Sequence, residues 1–315
     1  MKPFISICIP AYKRVQYLSR LLDSILIQTF KDFEIVLSDD SDDNSVQNLC
    51  DTYGAKLPIQ YFRNKPSLGT PANWNFAISK AKGEWIKLIH DDDWFASPDS
   101  LELFAASARS GNKKFIFSAY NNYFESEKRY KEEAFPWGWK QRIIKSPVIL
   151  LAHNVVGPPS VTLIHQSMRE VYDERMKWRV DMDFYMQLLE REKDYYRIDK
   201  VLVNVGVSDS QVTNSCINVP SVELPEGYLL LEKHGVKALS HILVYDAWWR
   251  LLRNMKIFSK EQLSRYVQKE WPPVILKMVK HLSACPAFVL NNGVTSKFAM
   301  FCSYCINHLT NRIKD

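Results

Sequence analysis

Glu84-Trp85-Ile86-Lys87-Leu88-Ile89-His90-Asp91-Asp92-Asp93 is the stretch on which the reading of the fold turns. A short apolar run of this kind reads as a buried strand. It ends at once in three carboxylates. Working back from it, Ala72 to Ala81 has helical character with Gly83 as a stop signal beyond its end. Ile59-Gln60-Tyr61-Phe62 reads as a strand. Phe33 to Ser38 reads as another, running into the acidic turn Asp39-Asp40-Ser41-Asp42-Asp43-Asn44-Ser45, which caps a helix through about Tyr53. At the front, the apolar run Phe4 to Ile9 is stopped by Pro10. Val15, Leu18, Leu21, Leu22, Ile25 and Leu26 then recur at helical spacing. Strand and helix alternating at such short intervals predict a parallel sheet of crossover units, and ligands bind such sheets at the carboxyl ends of the strands. The polar clusters fall at those ends: Pro10 to Arg14, Asp39 and Asp40, and Asp91 to Asp93.

Downstream, Lys114 to Tyr120 is a predicted strand and Phe124 to Lys145 a charged, aromatic excursion. Val161 to Ile164 is a short strand behind Gly157-Pro158-Pro159-Ser160. Asp181 to Leu189 is a predicted helix and Val201 to Val207 a final strand. Beyond Pro225 helical periodicity dominates, with Trp248, Trp249, Leu251 and Leu252, then a break at Pro272-Pro273. The expected fold class is α/β, an open, mostly parallel sheet flanked by helices with an α-helical C-terminal extension. The expected domains are residues 1–215 and residues 216–315.

At 315 residues, 46% hydrophobic and 24% charged, the chain has the composition of a folded globular protein, not of a disordered one. The N-terminal apolar run is too short and too early for a signal peptide, and no stretch approaches a spanning helix; the expected location is the cytosol. Six scattered cysteines read as reduced thiols, and Cys302-x-x-Cys305 as small buried side chains. Charge is unevenly placed. From Glu226 onward there are 13 Lys and Arg against 6 Asp and Glu, while residues 1–225 are close to neutral. A basic back part suits an anionic lipid surface or a lipid-diphosphate acceptor; no nucleic-acid-binding module is recognisable.

Adjacent aspartates repel one another, and a divalent cation removes that cost; hard oxygen ligands suit Mg²⁺ or Mn²⁺. An acidic triplet at the ligand edge of a sheet therefore reads as a diphosphate-metal site, with a solvated loop capping the next helix as the alternative. Four segments in order then resemble family 2 of the glycosyltransferases, with the GT-A fold: Ser6 to Arg14, Phe33 to Ser45, Asn75 to Trp85, and His90 to Trp94. The resemblance covers about the first 100 residues closely and runs more loosely to about residue 215.

That resemblance implies an inverting, metal-dependent enzyme that moves a sugar from a nucleotide-sugar, with UDP favoured, to an acceptor hydroxyl. Pro10, Ala11 and Tyr12 would line the base pocket with Arg14 nearby, Asp39 would accept from the base, and Asn75 would belong to the donor site. Asp92 would be the principal contact of Mn²⁺ or Mg²⁺, with Asp91 and Asp93 touching ribose, metal or donor sugar. His90 stands where relatives carry the first aspartate of their D-x-D motif. Arg179-Val180-Asp181-Met182-Asp183 resembles the acceptor-side motif in which the second position, here Asp181, supplies the general base; Val180 and Gln187 depart from the usual glutamate and arginine. An acid at a helix start is otherwise a simple cap. Gly157 to Ser160 reads as pocket wall or plain loop, and Trp137-Gly138-Trp139 as a sugar-stacking pair or as packing.

The implied acceptor is an oligosaccharide or lipid-linked saccharide of bacterial surface polysaccharide synthesis, met at the inner face of the cytoplasmic membrane. A nicotinamide-dependent oxidoreductase would carry G-x-G-x-x-G after the first strand, where Pro10 to Val15 contain no glycine. A pyrophosphorylase would want a glycine-rich phosphate loop there. A non-catalytic nucleotide-sugar-binding module is the remaining alternative, since the surroundings of Asp181 are altered.

Overall fold

Apolar runs too short for helices, each followed by an amphipathic segment, condense into one sheet with helices packed on it. The computed structural model describes residues 2–208 and 215–310. The chain forms two compact units, the first containing residues 2–145, 155–174 and 183–208, and the second residues 146–154, 175–182 and 215–310.

The first unit opens with β1 (Ile5–Ala11), α1 (Val15–Leu26), β2 (Phe33–Asp39), α2 (Ser45–Tyr53), β3 (Ile59–Arg63), α3 (Ala72–Lys80) and β4 (Trp85–Leu88). It continues through β5 (Trp94–Phe95), α4 (Ser100–Ser110), β6 (Phe115–Phe124), β7 (Arg129–Glu132) and α5 (Trp139–Lys145) to β8 (Thr162–His165), α6 (Val180–Glu192) and β9 (Tyr196–Val207). The strand order is β3-β2-β1-β4-β8-β6-β9-β5, with β7 on β6. The strands β3, β2, β1 and β4 run parallel. Beyond them β8 is antiparallel to β4 and β6, and β9 returns parallel to β6 over a long register. Parallel pairing accounts for most of the registered residues, so the open, mostly parallel α/β sheet expected from the sequence is present.

Both β1 and β2 are buried at every residue, which is why they read as continuous apolar runs. The helix α1 places Leu18, Leu21, Leu22 and Ile25 fully inside, the spacing of one helical face. Three local elements were not legible. The strand β5 has only two residues, too few for any periodicity, yet it pairs Trp94 with Asn204 and Phe95 with Val203 and so pins the chain just after the acidic triplet. The excursion from Phe124 to Lys145 holds β7 and α5, whose polar faces left no apolar pattern to read.

At the amino edge of the sheet a carboxylate is buried deliberately. Glu34 accepts from Ser6 Oγ at 2.5 Å, from the Lys82 backbone N–H at 2.7 Å and from Gln60 Nε2 at 2.6 Å. Gly83 N–H donates to Ser6 Oγ at 2.7 Å, and a Cβ on Gly83 would stand 2.6 Å from the Ser6 backbone nitrogen. The glycine is thus required by close backbone approach and not by the helix end before it, which is capped at Ala81 in extended conformation.

The second unit is helical: α7 (Pro220–His234), α8 (Ile242–Asn254), α9 (Lys260–Ser264), α10 (Pro273–Ala284), α11 (Ala287–Asn291) and α12 (Gly293–Thr310). The helical region begins before Pro225, which lies inside α7 and removes one intrahelical hydrogen bond. Trp249 is fully buried and donates through Nε1 to Ser296 Oγ at 3.2 Å, while Tyr245 and Ser303 share a hydrogen bond of 2.6 Å. These contacts lock α8 against the inner face of α12. In α10, Val274, Ile275, Met278, Val279 and Leu282 are all buried, so the apolar side of this basic segment is used in packing.

Gly83→Ala should lower stability by about 2 kcal/mol or more, since backbone and not a flexible side chain must move. Chemical denaturation checks this; a midpoint equal to wild type would show that the edge accommodates the methyl group.

Candidate active site

The carboxyl ends of β1, β2 and β4 converge because the three strands are adjacent and parallel. There Tyr12 N–H donates to Asp91 Oδ2 at 3.3 Å, and Asp40 N–H donates to the Ala11 carbonyl at 3.0 Å. Lys13 takes a left-handed backbone, φ 61°, and its N–H donates to Ser41 Oγ at 2.8 Å. The three polar clusters picked out by sequence are therefore tied to one another by backbone hydrogen bonds. Pro10 and Ala11 are buried at the strand end, and the Tyr12 ring stands 51% exposed beside them.

Asp91 and Asp93 are almost fully buried. Burial pushes Asp91 up to about 7 against the opposing pull of the Arg14 guanidinium, with the Asp92 charge adding to the rise. Burial and the Asp92 charge also raise Asp93 well above the usual carboxylate range. Arg14 answers this crowding: its guanidinium pairs with Asp91 and, at 2.8 Å, with Asp92. Burial pushes His90 down to about 4, leaving a neutral imidazole. Its ring lies 4.6 Å from the Trp74 ring, and its Nε2 is buried without a hydrogen-bond partner.

One ligand atom each from His90, Asp92 and Asp93 lie within 4.8 Å of one another. A neutral imidazole, its Nδ1 4.0 Å from Asp93 Oδ2, beside two carboxylates is a donor set that fits a divalent cation. The cluster sets His90 and Asp93 beside Asp92, the principal metal contact that the resemblance implies.

Four residues shape this turn, and of them the sequence marks only Ser160, as pocket wall or plain loop. Gly206 N–H donates to Asp93 Oδ1 at 3.0 Å, and a Cβ there would stand 2.5 Å from the Asp92 carbonyl oxygen. Arg20 donates to that same carbonyl at 3.1 Å, pairs with Glu125 at 2.7 Å and stacks 3.6 Å over the Trp94 ring. Ser160, fully buried, accepts from the His90 N–H at 3.0 Å. Lys87, whose Nζ donates to the carbonyls of Ser160 and Thr162, holds that loop in place; burial pushes it down to about 7. Gly206 lies more than 100 residues from the triplet it touches, so no local pattern announces it.

Asp39 is fully buried and accepts from Ser41 N–H at 2.8 Å and from Tyr61 Oη at 2.7 Å. Asn75 is placed differently: its Oδ1 accepts from Tyr172 N–H at 2.9 Å, and its Nδ2 donates to Tyr172 O at 2.9 Å and Glu174 Oε1 at 3.1 Å. Both ends of this amide are spent on the Tyr172–Glu174 segment. Trp137 is 97% exposed, which removes packing as its role.

Asp181 belongs to the second unit, in the first turn of α6. Its Oδ2 accepts from Asn154 Nδ2 at 2.8 Å, and burial pushes it up to about 7. The preceding backbone is held by Glu226, which accepts the N–H groups of Lys177, Trp178 and Arg179 at 2.7–3.2 Å. Arg179 in turn pairs with Glu223 at 2.8 Å. Asp183 is fully buried and accepts from Gln187 at 2.8 Å.

The family model described as Glycosyl transferase family 2 matches residues 6–171, more than half of the chain. The chain belongs to the family 2 glycosyltransferases. An uncharacterised glycosyltransferase of Rickettsia typhi is 25% identical over 274 residues, covering 82% of this chain and 80% of its own length. Chondroitin synthase of Pasteurella multocida is 27% identical over 203 residues, covering 64% of this chain; the chain spans only 20% of that larger protein. The crystal structure of S. aureus TarS 1–349 in complex with UDP-GlcNAc superposes with a TM-score of 0.56 at 15% identity, covering 99% of this chain and 93% of the other. At that identity the likeness shows the fold, which is GT-A.

Gly206→Ala should reduce kcat/KM for sugar transfer by about 10²-fold, because displacing the Asp92 backbone by a fraction of an ångström misplaces the site. Steady-state transfer kinetics check it; a rate within twofold of wild type would show that the close approach is incidental.

Proposed function

We propose that this chain is an inverting, metal-dependent transferase that moves a sugar from a UDP-sugar onto an acceptor hydroxyl. The observation that carries the proposal is the cluster of half-buried His90 and Asp92 with buried Asp91 and Asp93 at the carboxyl ends of adjacent parallel strands. The family supplies the reaction class. The UDP-GlcNAc bound by the TarS structure supports a uridine donor, and Asp39, an acceptor at the end of β2, suits the uridine ring N–H. The transferase domain is taken as residues 1–215 and its helical companion as residues 216–315, with 146–154 and 175–182 grouped by their contacts with the latter. By analogy with chondroitin synthase the product is a surface polysaccharide, with an oligosaccharide or lipid-linked saccharide as acceptor, assembled at the cytoplasmic face of the membrane.

His90, Asp92 and Asp93 would hold the cation, and the imidazole makes Mn²⁺ the better match than Mg²⁺. When bound, such an ion neutralises the departing diphosphate as a Lewis acid. Pro10, Ala11 and Tyr12 line the base pocket, and the exposed Tyr12 ring offers a stacking face. Asp91, held by Arg14 and the Tyr12 N–H, sets the donor's ribose side. Asn75 acts at one remove, by fixing the Tyr172–Glu174 segment. Asp181 accepts the proton of the attacking hydroxyl, and its raised affinity for protons suits that task near neutral pH. Attack and departure on opposite faces invert the anomeric carbon. Trp137 offers its exposed face to an acceptor pyranose.

Three outcomes follow. Asp92→Ala should cost about 10²- to 10³-fold in kcat. Asp181→Asn should cost about 10²- to 10⁴-fold while leaving donor affinity unchanged. The base form of Asp181 is the carboxylate, raised by burial and the Glu226 charge and opposed by Arg179, so wild-type kcat/KM should fall about tenfold per pH unit below about 7 and level off above it. The residual activity of Asp181→Asn should lack that limb. Full transfer by both variants would refute the mechanism; donor binding without turnover in wild type would make the chain a binding module.

A further inference from the structure

Among the described residues, the second unit leaves the outer side chains of one helix exposed. On α12 the buried positions Ser296, Met300, Ser303 and Asn307 repeat at helical spacing toward α8. The opposite face carries Val294 (81% exposed), Phe298 (70%), Phe301 (48%) and Ile306 (46%), and Phe288 of α11 is 75% exposed. Large apolar side chains turned outward as a stripe, not singly, mark a surface that meets something. With Ile242 and Met300, three of them border an open apolar groove that also includes Lys297. Cys302 lies on this outer face, exposed, against the buried placement expected for it.

Charge decides what that surface meets. Lys297 is the one charged residue lining the groove, and from Trp271 to the end the sequence carries five Lys and Arg (Lys277, Lys280, Lys297, Arg312 and Lys314) against the single Asp315. A second copy of this chain seated on the groove would bring Lys297 against a like-charged region. An anionic lipid surface, by contrast, takes aromatic and aliphatic side chains into its interfacial layer and pairs lysines with headgroups. Among the described residues no helix is long and apolar enough to cross a membrane, so contact of this kind would be peripheral. We propose that the outer face of α12, with Phe288, is a docking surface for anionic lipid bilayers. The proposal rests on the transferase reading only for its purpose, which is to keep the enzyme where a lipid-linked acceptor resides; the surface itself stands on exposure and charge.

The test is co-sedimentation of the full chain with phosphatidylcholine vesicles with and without about one third phosphatidylglycerol. Binding should require the anionic lipid and weaken several-fold as salt rises to 0.5 M, as expected when lysines contribute (~Debye screening). Phe298→Ser with Phe301→Ser should weaken partitioning by about tenfold or more with an unchanged melting temperature, since both rings are already exposed. Lys277→Gln with Lys280→Gln and Lys297→Gln should abolish the preference for anionic lipid. Donor affinity, measured by calorimetry with UDP-sugar, should be wild type in both variants, which separates failure of this surface from failure of the transferase reading. Equal binding to neutral vesicles, no binding at all, or a dimer in solution that the two serine substitutions dissolve would each overturn the proposal.

Discussion

The structure of the first unit depends on how three consecutive carboxylates are tolerated at the end of one buried strand. Like charges so close in a low-dielectric setting oppose one another strongly. The fold answers with several partial neutralisations. Arg14 reaches Asp91 and Asp92 from the turn after β1, Gly206 offers a backbone N–H to Asp93, and Arg20 holds the Asp92 carbonyl. Burial, with the Asp92 charge added to it, favours protons on Asp91 and Asp93. Under the proposed function the same crowding of charge would draw a divalent cation from solution, and a diphosphate after it.

Much of this was legible in the sequence because the parallel half of the sheet writes itself locally. Phe33, Ile35, Val36 and Leu37 are apolar and buried around the one buried carboxylate of Glu34, and the polar clusters sit where strands end. The GT-A class followed from that spacing together with the ordered motifs, and the structure has it. What escaped were residues brought in from afar. Gly206 and Arg20 touch the triplet through strand β9 and helix α1, and each reads locally as an ordinary glycine or arginine; Ser160, in the loop before β8, was legible only as pocket wall or plain loop. Asn75 was legible as part of a motif, but its amide is committed to Tyr172 and Glu174, a pairing across nearly 100 residues that no spacing reveals.

The second unit shows where periodicity stops short. The helices were evident, yet which face of each is buried was not. Pro273 to Lys280 looks interfacial by composition, but its apolar residues are packed inside. The outward stripe instead belongs to α12, whose alternating serine, aromatic and cysteine positions show no clean amphipathic pattern. Here small polar residues, Ser296, Ser303 and Asn307, face inward because Trp249 and Tyr245 supply their hydrogen-bond partners, and the aromatics are left outside. Polarity alone misassigns such a helix; only the partner helix decides it.

The central claim is most directly tested by crystals soaked with Mn²⁺ and UDP, with diffraction recorded on both sides of the manganese absorption edge. The account predicts an anomalous peak within coordinating distance of Asp92 and His90, the pyrophosphate against it, and Arg14 withdrawn from Asp92. Manganese bound elsewhere, or UDP seated with Arg14 still bridging Asp91 and Asp92, would contradict it.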